Sequence, residues 1–197
     1  MQNLESSHRV CPWWVGYLLA SPIRRLLQQP ATILSPYVRP GMTVLEPGPG
    51  MGFFTVEMAR LAGSSGRVIA VDIQPRMLDG LRRRAEKAGL LERVDARLAD
   101  ARSMGLWDLA GQADFTLAFA VVHEMPDAAA FFREAAAASK PGARLLLVEP
   151  AGHVAAPMFE TELRAAHDAG FVLLDRPSLR RSRAALLEKT TTGAAVR

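Results

Sequence analysis

Apolar residues along this chain fall into two alternating patterns. Short segments rich in Val, Leu, Ile and Phe occur at 43–46, 67–72, 94–98, 114–120 and 143–149, the third, VDARL, being the most polar. Runs of that length and composition read as strands buried on both faces. Between them lie longer stretches in which apolar residues recur every third or fourth position, at 53–62, 76–88, 127–139 and 158–169. These read as amphipathic helices. Local chemistry agrees with the boundaries: Gly89 closes the second of these helices, Asp127 can cap the third, and Lys140-Pro141-Gly142 ends it. Two further short helices are expected before the first strand. One opens at Ser21-Pro22 and runs to Leu27; the other covers 31–38 and stops at Pro40-Gly41. Strict strand–helix alternation predicts an α/β fold with a mostly parallel sheet and helices on both faces. The tail changes character: FVLLDRPSL at 171–179 and RAALLEK at 183–189 have no helix between them, so they should pair antiparallel.

The segment TVLEPGPGMGFFT, Thr43 to Thr55, carries the strongest chemical signal. An acid, Glu46, ends the first strand, and Gly48, Gly50 and Gly52 follow at alternate positions before a helix begins. Glycines there permit a sharp turn and let a ligand approach the peptide groups. Twenty residues beyond Gly52, Asp72 ends the second strand, where a carboxylate can accept hydrogen bonds from the hydroxyls of a ribose. The chain therefore reads as a binder of an adenosine-containing cofactor. The dinucleotide pattern G-x-G-x-x-G fits poorly, because its third glycine falls on Phe53 or on Thr55 according to where the count begins.

The observed E-x-G-x-G-x-G resembles motif I of the class I S-adenosylmethionine-dependent methyltransferases. ARLADA at 96–101, ADFTLAFAVVHEMPD at 113–127 and KPGARLLLVEP at 140–150 follow in the family's order, so the resemblance spans about residues 40 to 190. Among subgroups, the chain looks most like the short bacterial methyltransferases of the ubiquinone- and menaquinone-biosynthesis kind. The resemblance implies a Rossmann-like seven-stranded sheet ordered 3-2-1-4-5-7-6, with the last strand antiparallel. It implies one domain over 1–197, with a cofactor-binding core at 41–190 and an N-terminal helical segment at 1–40 that folds over the cleft. The implied cofactor is S-adenosylmethionine and the implied product S-adenosylhomocysteine. The cofactor site implied is Glu46, Gly48, Gly50, Gly52, Asp72, Ile73, Asp100, Ala101 and Ala120.

The acceptor side is less determined. His123, expected at the end of the fourth strand, is the candidate general base because an imidazole titrates near working pH. Ordering of the turn or contact with substrate are the competing roles for it. Glu149 and His153 are expected to line the substrate side with it, although His153 reads equally well as an exposed loop residue. Trp13 and Trp14 offer large rigid surfaces for excluding water and walling an apolar acceptor; tethering the N-terminal segment is the alternative. No His, Cys, Asp or Glu cluster has metal-ligand spacing, so no metal is expected.

Composition narrows the class only slightly. At 197 residues, 49% hydrophobic and 22% charged, the chain suits one globular domain. Its single cysteine, Cys11, excludes an intramolecular disulfide and suits a reducing cytoplasm. The net charge of +4 comes largely from Arg82, Arg83, Arg84 and Lys87 on one helix and from Arg180, Arg181 and Arg183 in the tail. Neither cluster is interleaved with aromatics, so nucleic acid is not the expected partner. No stretch has the length of a membrane span, and VCPWWVGYLLA at 10–20 lacks the basic flank of a leader. A small-molecule acceptor is expected. RNA or protein methylation and a non-catalytic cofactor-binding subunit are the other readings.

Overall fold

The computed structural model describes residues 29–100 and 102–191. The expected Ser21–Leu27 helix, Cys11, Trp13, Trp14 and Ala101 lie outside the described residues. A short helix α1 (Pro30–Leu34) leads into β1 (Thr43–Pro47), α2 (Thr55–Ala62), β2 (Arg67–Asp72), α3 (Pro75–Lys87) and β3 (Val94–Leu98). There follow β4 (Ala113–Phe119), α4 (Ala128–Ala138), β5 (Ser139–Pro150), α5 (Ala156–Asp168), β6 (Phe171–Asp175) and β7 (Ser182–Lys189). The sheet order is 3-2-1-4-5-7-6. Pairs among β1 to β5 are parallel, and β7 runs antiparallel to both β5 and β6.

Period-two alternation divides the core between the faces of the sheet. Val44, Phe115, Leu117, Leu146 and Val148 pack on one side with α1 and α2 residues such as Leu34, Met58 and Ala59. Their neighbours Ala118, Leu145 and Leu147 pack on the other side with Phe131 and Phe132 of α4 and Phe159 of α5. Leu45, Ile69 and Val71 form a third cluster with Leu106 and Leu109. Both faces being covered explains why these strands read as continuous apolar runs rather than alternating ones.

Three local expectations change. The helix expected over 31–38 is only Pro30–Leu34, because Pro36 has no N–H to continue the ladder. Lys140-Pro141-Gly142 follows the end of α4 as expected, but it lies inside the long β5 rather than before it. Pairing passes from Ala113↔Ser139 to Phe115↔Arg144, so residues 140–143 bulge from the ladder, where a proline is tolerated. His123 does not end β4, which stops at Phe119. It sits in a single 3-10 turn, Val122–Glu124, directly beyond the strand. The Asp127 cap of α4 forms as expected, its side chain accepting from the Ala130 N–H at 2.9 Å.

Candidate active site

The strand order reverses between β1 and β4, and a cleft of about 1050 Å³ opens over the carboxyl ends of the strands at that switch. Glu46, Gly48, Gly50, Asp72, Ile73, Asp100, Ala120, His123 and His153 all line it.

The three glycines of the β1–α2 loop are required for three different reasons. All have positive φ, at 63° for Gly48, 54° for Gly50 and 78° for Gly52. A Cβ on Gly48 would stand 2.5 Å from Cγ2 of Val121, so this position lets the β4 end close against the loop. A Cβ on Gly52 would stand 3.2 Å from Cγ and 3.4 Å from Cα of Leu81, so this position seats α3. A Cβ on Gly50 would meet nothing within 4 Å, although the residue lines the cleft. Protein packing leaves that space open, and a ligand laid against the peptide groups would use it.

Two buried acids flank the loop. Glu46 is 3% exposed and accepts from Thr55 Oγ1 at 2.5 Å. Burial pushes its carboxyl up to about 8, opposed by the Thr55 bond and reinforced by the nearby Asp72 charge. Asp72 accepts from the Gln74 N–H at 2.9 Å, and the neighbouring Gly50 and Ile73 N–H groups favour its ionised form. Burial nevertheless raises it to about 6. Asp72 therefore organises the turn beyond β2 through Gln74 as well as facing the cleft, a role its position in the sequence does not reveal. Asp100, at the tip of β3, is exposed and organises its own loop: Oδ1 accepts from the N–H groups of Arg102 at 2.6 Å and Ser103 at 2.9 Å. Glu134 of α4 ties that loop down by accepting from the Met104 N–H at 2.9 Å.

Across the switch, side chains take over from backbone. Ala120 has φ 56°, a conformation that costs an L-residue roughly 1–2 kcal/mol, while its N–H bonds to Val148 O at 2.7 Å. The chain then enters the turn carrying His123. Glu149, expected on the cleft wall, stands behind it instead: it is fully buried and does not reach the surface of the cleft. Its Oε1 accepts from the Val122 N–H at 2.8 Å, and its Oε2 lies 2.5 Å from His123 Nδ1. A carboxylate already holding a backbone N–H fixes the proton on Nδ1 and leaves Nε2 with the lone pair, 4.0 Å from Glu124 Oε1. The Glu149 bond raises the His123 pKa above its ordinary value, against the effect of burial. The His153 ring lies 6.0 Å from that of His123, edge toward face.

A third acid, which the sequence reading passes over, belongs to this group. Glu162 of α5 is 4% exposed, and neither of its carboxyl oxygens has a hydrogen-bond partner among the described residues. Burial raises it to about 8, the Glu149 charge adding to the rise and His123 opposing it. Only its helical spacing toward the sheet face hinted at burial. Arg180 and Arg181 of the β6–β7 loop also line the cleft, although they read from sequence as a plain charge cluster. Phe53 and Phe54 are core residues as well as cleft wall, and Phe54 packs on Phe119 at a centroid distance of 4.5 Å. Among the described residues no group of three His, Cys, Asp or Glu is placed to hold a metal ion, and no helix is long and apolar enough to cross a membrane.

A doubly wound sheet ending in an antiparallel pair, with a glycine loop and acids at the first two strand tips, defines a class I methyltransferase fold. Comparison with known proteins agrees, since the methyltransferase domain family matches residues 39–176 and the chain belongs to that family. It is 32% identical over 160 residues to the ubiquinone/menaquinone biosynthesis C-methyltransferase UbiE of Cronobacter sakazakii, covering 81% of this chain and 61% of that protein. It is 34% identical over 144 residues to the ubiquinone biosynthesis O-methyltransferase of Methylocella silvestris, covering 71% and 52%. The chain thus spans about a third to three fifths of the length of the curated relatives it matches. Among solved structures, a SAM dependent methyltransferase from Aquifex aeolicus superposes with a TM-score of 0.79 at 24% identity, over 91% of this chain and 98% of that one.

Proposed function

We propose that this domain binds S-adenosylmethionine over the glycine loop and transfers its methyl group to a small, largely apolar acceptor. The single observation that carries the reading is Gly50: its missing side chain opens into the cleft, beside a ribose-competent carboxylate on Asp72. Glu46, Gly48, Gly50, Asp72, Ile73, Asp100 and Ala120 would hold the cofactor, together with Ala101, while Gly52, expected among them, does not line the cleft and instead shapes the loop by seating α3 against Leu81. Bound there, the cofactor supplies an electrophilic methyl group whose carbon–sulfur bond breaks with its electron pair left on sulfur, giving S-adenosylhomocysteine. The chain's own contribution is to align, to shield and to manage one proton. Phe53, Phe54 and Phe119 wall the site against water. For an acceptor that arrives protonated, His123 Nε2 takes the proton, and buried Glu149 stabilises the imidazolium so formed. The cleft volume of about 1050 Å³ leaves room for a small second molecule beside the cofactor. A cytoplasmic setting fits the single cysteine.

Titration calorimetry with S-adenosylhomocysteine and with NADH tests the cofactor. Wild type binds the first and not the second, and Asp72→Ala weakens the first by at least about tenfold, the loss of a charged hydrogen-bond pair to the ribose. NADH binding with no response to S-adenosylhomocysteine overturns the proposal.

A further inference from the structure

The strand order sets out the charges of the cleft in sequence along the sheet edge. At the tips of β3, β2 and β1 stand Asp100, Asp72 and Glu46, all acids. Past His123 the order continues through β5 to β7, where Arg180 and Arg181 lead into the strand. The other arginines of this hairpin are engaged. Arg176 forms a two-pronged pair with Glu160 at 2.8 and 3.0 Å, and Arg183 Nε donates to Val154 O at 2.9 Å. Arg180 and Arg181 have no side-chain hydrogen bond and no carboxylate partner among the described residues, yet both line the cleft.

The backbone holds them there. The Ala151 N–H donates to Arg181 O at 3.0 Å, which fixes the β6–β7 loop to the end of β5, next to Pro150 and His153. Arg181 keeps φ at 56°, a strained conformation for a side chain with a Cβ, where a glycine would relieve the strain. A strained residue fixed at a cleft edge with an unpartnered guanidinium is the arrangement expected of a ligand contact. Two guanidiniums on successive residues at the cleft rim, each a planar fork of donors, suit the two-oxygen geometry of an oxyanion.

We propose that Arg180 and Arg181 form an anion subsite, so that the methyl acceptor is a small molecule carrying a carboxylate or phosphate group. Its anionic end sits on the two guanidiniums, its apolar body lies along Met125 and Phe131, and its nucleophilic atom points at His123. The carboxylates of Asp72 and Asp100 on the cofactor half repel the same anion, whereas buried Glu46 is held largely protonated, and this sets the direction in which the acceptor lies. This assignment rests on the methyltransferase reading of the cleft for its second half, but the anion subsite is measurable without it.

The experiment is titration calorimetry at low ionic strength with benzoate, phenyl phosphate and benzyl alcohol, on protein with and without saturating S-adenosylhomocysteine. Wild type binds at least one of the two anions and not the neutral alcohol, and the tighter anion identifies the oxyanion preferred. The double variant Arg180→Gln with Arg181→Gln binds that anion about tenfold more weakly, while Arg180→Lys with Arg181→Lys recovers part of the loss. Affinity for S-adenosylhomocysteine is the same in wild type and both variants. The proposal is overturned if neither anion binds, if the alcohol binds as well as the anions, or if the glutamine variant binds them as wild type does. A fall in S-adenosylhomocysteine affinity in that variant also overturns it, because the arginines then serve the cofactor. Failure of wild type to bind S-adenosylhomocysteine at all overturns the cofactor assignment instead, and the anion titrations still decide the subsite.

Discussion

The two halves of the cleft are built from different materials. Over β1, β2 and β3 the surface includes exposed backbone, at Gly48 and Gly50 with their positive φ, beside the carboxylate of Asp72. Over β4, β5 and β7 it is side chains: His123 backed by Glu149, His153 beside them, and two arginines with no carboxylate partner among the described residues. A backbone surface cannot change its chemistry by substitution, so it suits a fixed ligand. A side-chain surface can, so it suits a ligand that differs between relatives. On the proposed function, the first half takes the cofactor and the second the acceptor.

The sharpest way to break that assignment is to fill the backbone half. Gly50→Val places a branched side chain at the cleft, where its Cβ meets no protein atom within 4 Å, at a conformational cost of roughly 1–2 kcal/mol for positive φ. The protein should fold, with S-adenosylhomocysteine affinity down about a hundredfold or more by calorimetry. Gly48→Ala is the opposite case. Its Cβ would overlap Val121, so it loses stability first, read as a lower denaturation midpoint. A folded Gly50→Val protein with native affinity would mean that the ligand lies elsewhere.

A smaller effect is expected on the side-chain half from Glu149→Gln, which preserves shape and removes charge. Glu149 holds His123 above its ordinary pKa. The raised value contributes stability that is fully present below about 6.5 and is lost as pH rises through the folded value. In Glu149→Gln the His123 resonance should titrate at lower pH by NMR. The variant should be less stable than wild type by about 2 kcal/mol at pH 6, and by less at pH 9. If His123 titrates unchanged, Glu149 is a backbone anchor for Val122 and no more. In turnover assays the same shift would move the acid limb of the pH–rate profile to lower pH, because the base becomes neutral sooner.

The same contrast explains how much of the molecule the sequence makes legible. Glu46, the three glycines and Asp72 lie within 27 residues of one another, and their roles depend on spacing along a single β–α–β unit. Strand periodicity and the terminal hairpin carry the sheet order once the family resemblance is added. His123, Glu149, Glu162 and Arg181 meet only because β4, β5, α5 and the β6–β7 loop converge, and no spacing along the chain encodes that. Glu149 was legible as a strand-end acid but not as the partner of His123. Gly52 could be marked as important, but that it spares a clash with Leu81 is visible only in three dimensions.

The finest test separates two buried acids, one from each half. Glu46 and Glu162 are both raised to about 8 by burial, but Glu46 has the Thr55 hydroxyl whereas Glu162 has no hydrogen-bond partner among the described residues. An acid raised on folding binds more protons in the native state than in the unfolded one between about pH 4.5 and 8, so stability falls as pH rises through that window. Asp72, raised to about 6, adds to the same slope at its acid end. Wild type should therefore be more stable at pH 5 than at pH 8.5 in urea denaturation. Glu162→Gln removes one contribution, so its loss over that range should be smaller than the wild-type loss by about 1–2 kcal/mol. Near pH 7 Glu162 carries its proton, so the substitution leaves the charge around Glu149 and His123 unchanged and the His123 titration close to that of wild type. Equal slopes in the two proteins would mean that Glu162 ionises freely in the native state. Its burial behind His123 would then be packing, and the acceptor half would contain one carboxylate that matters, Glu149, rather than two.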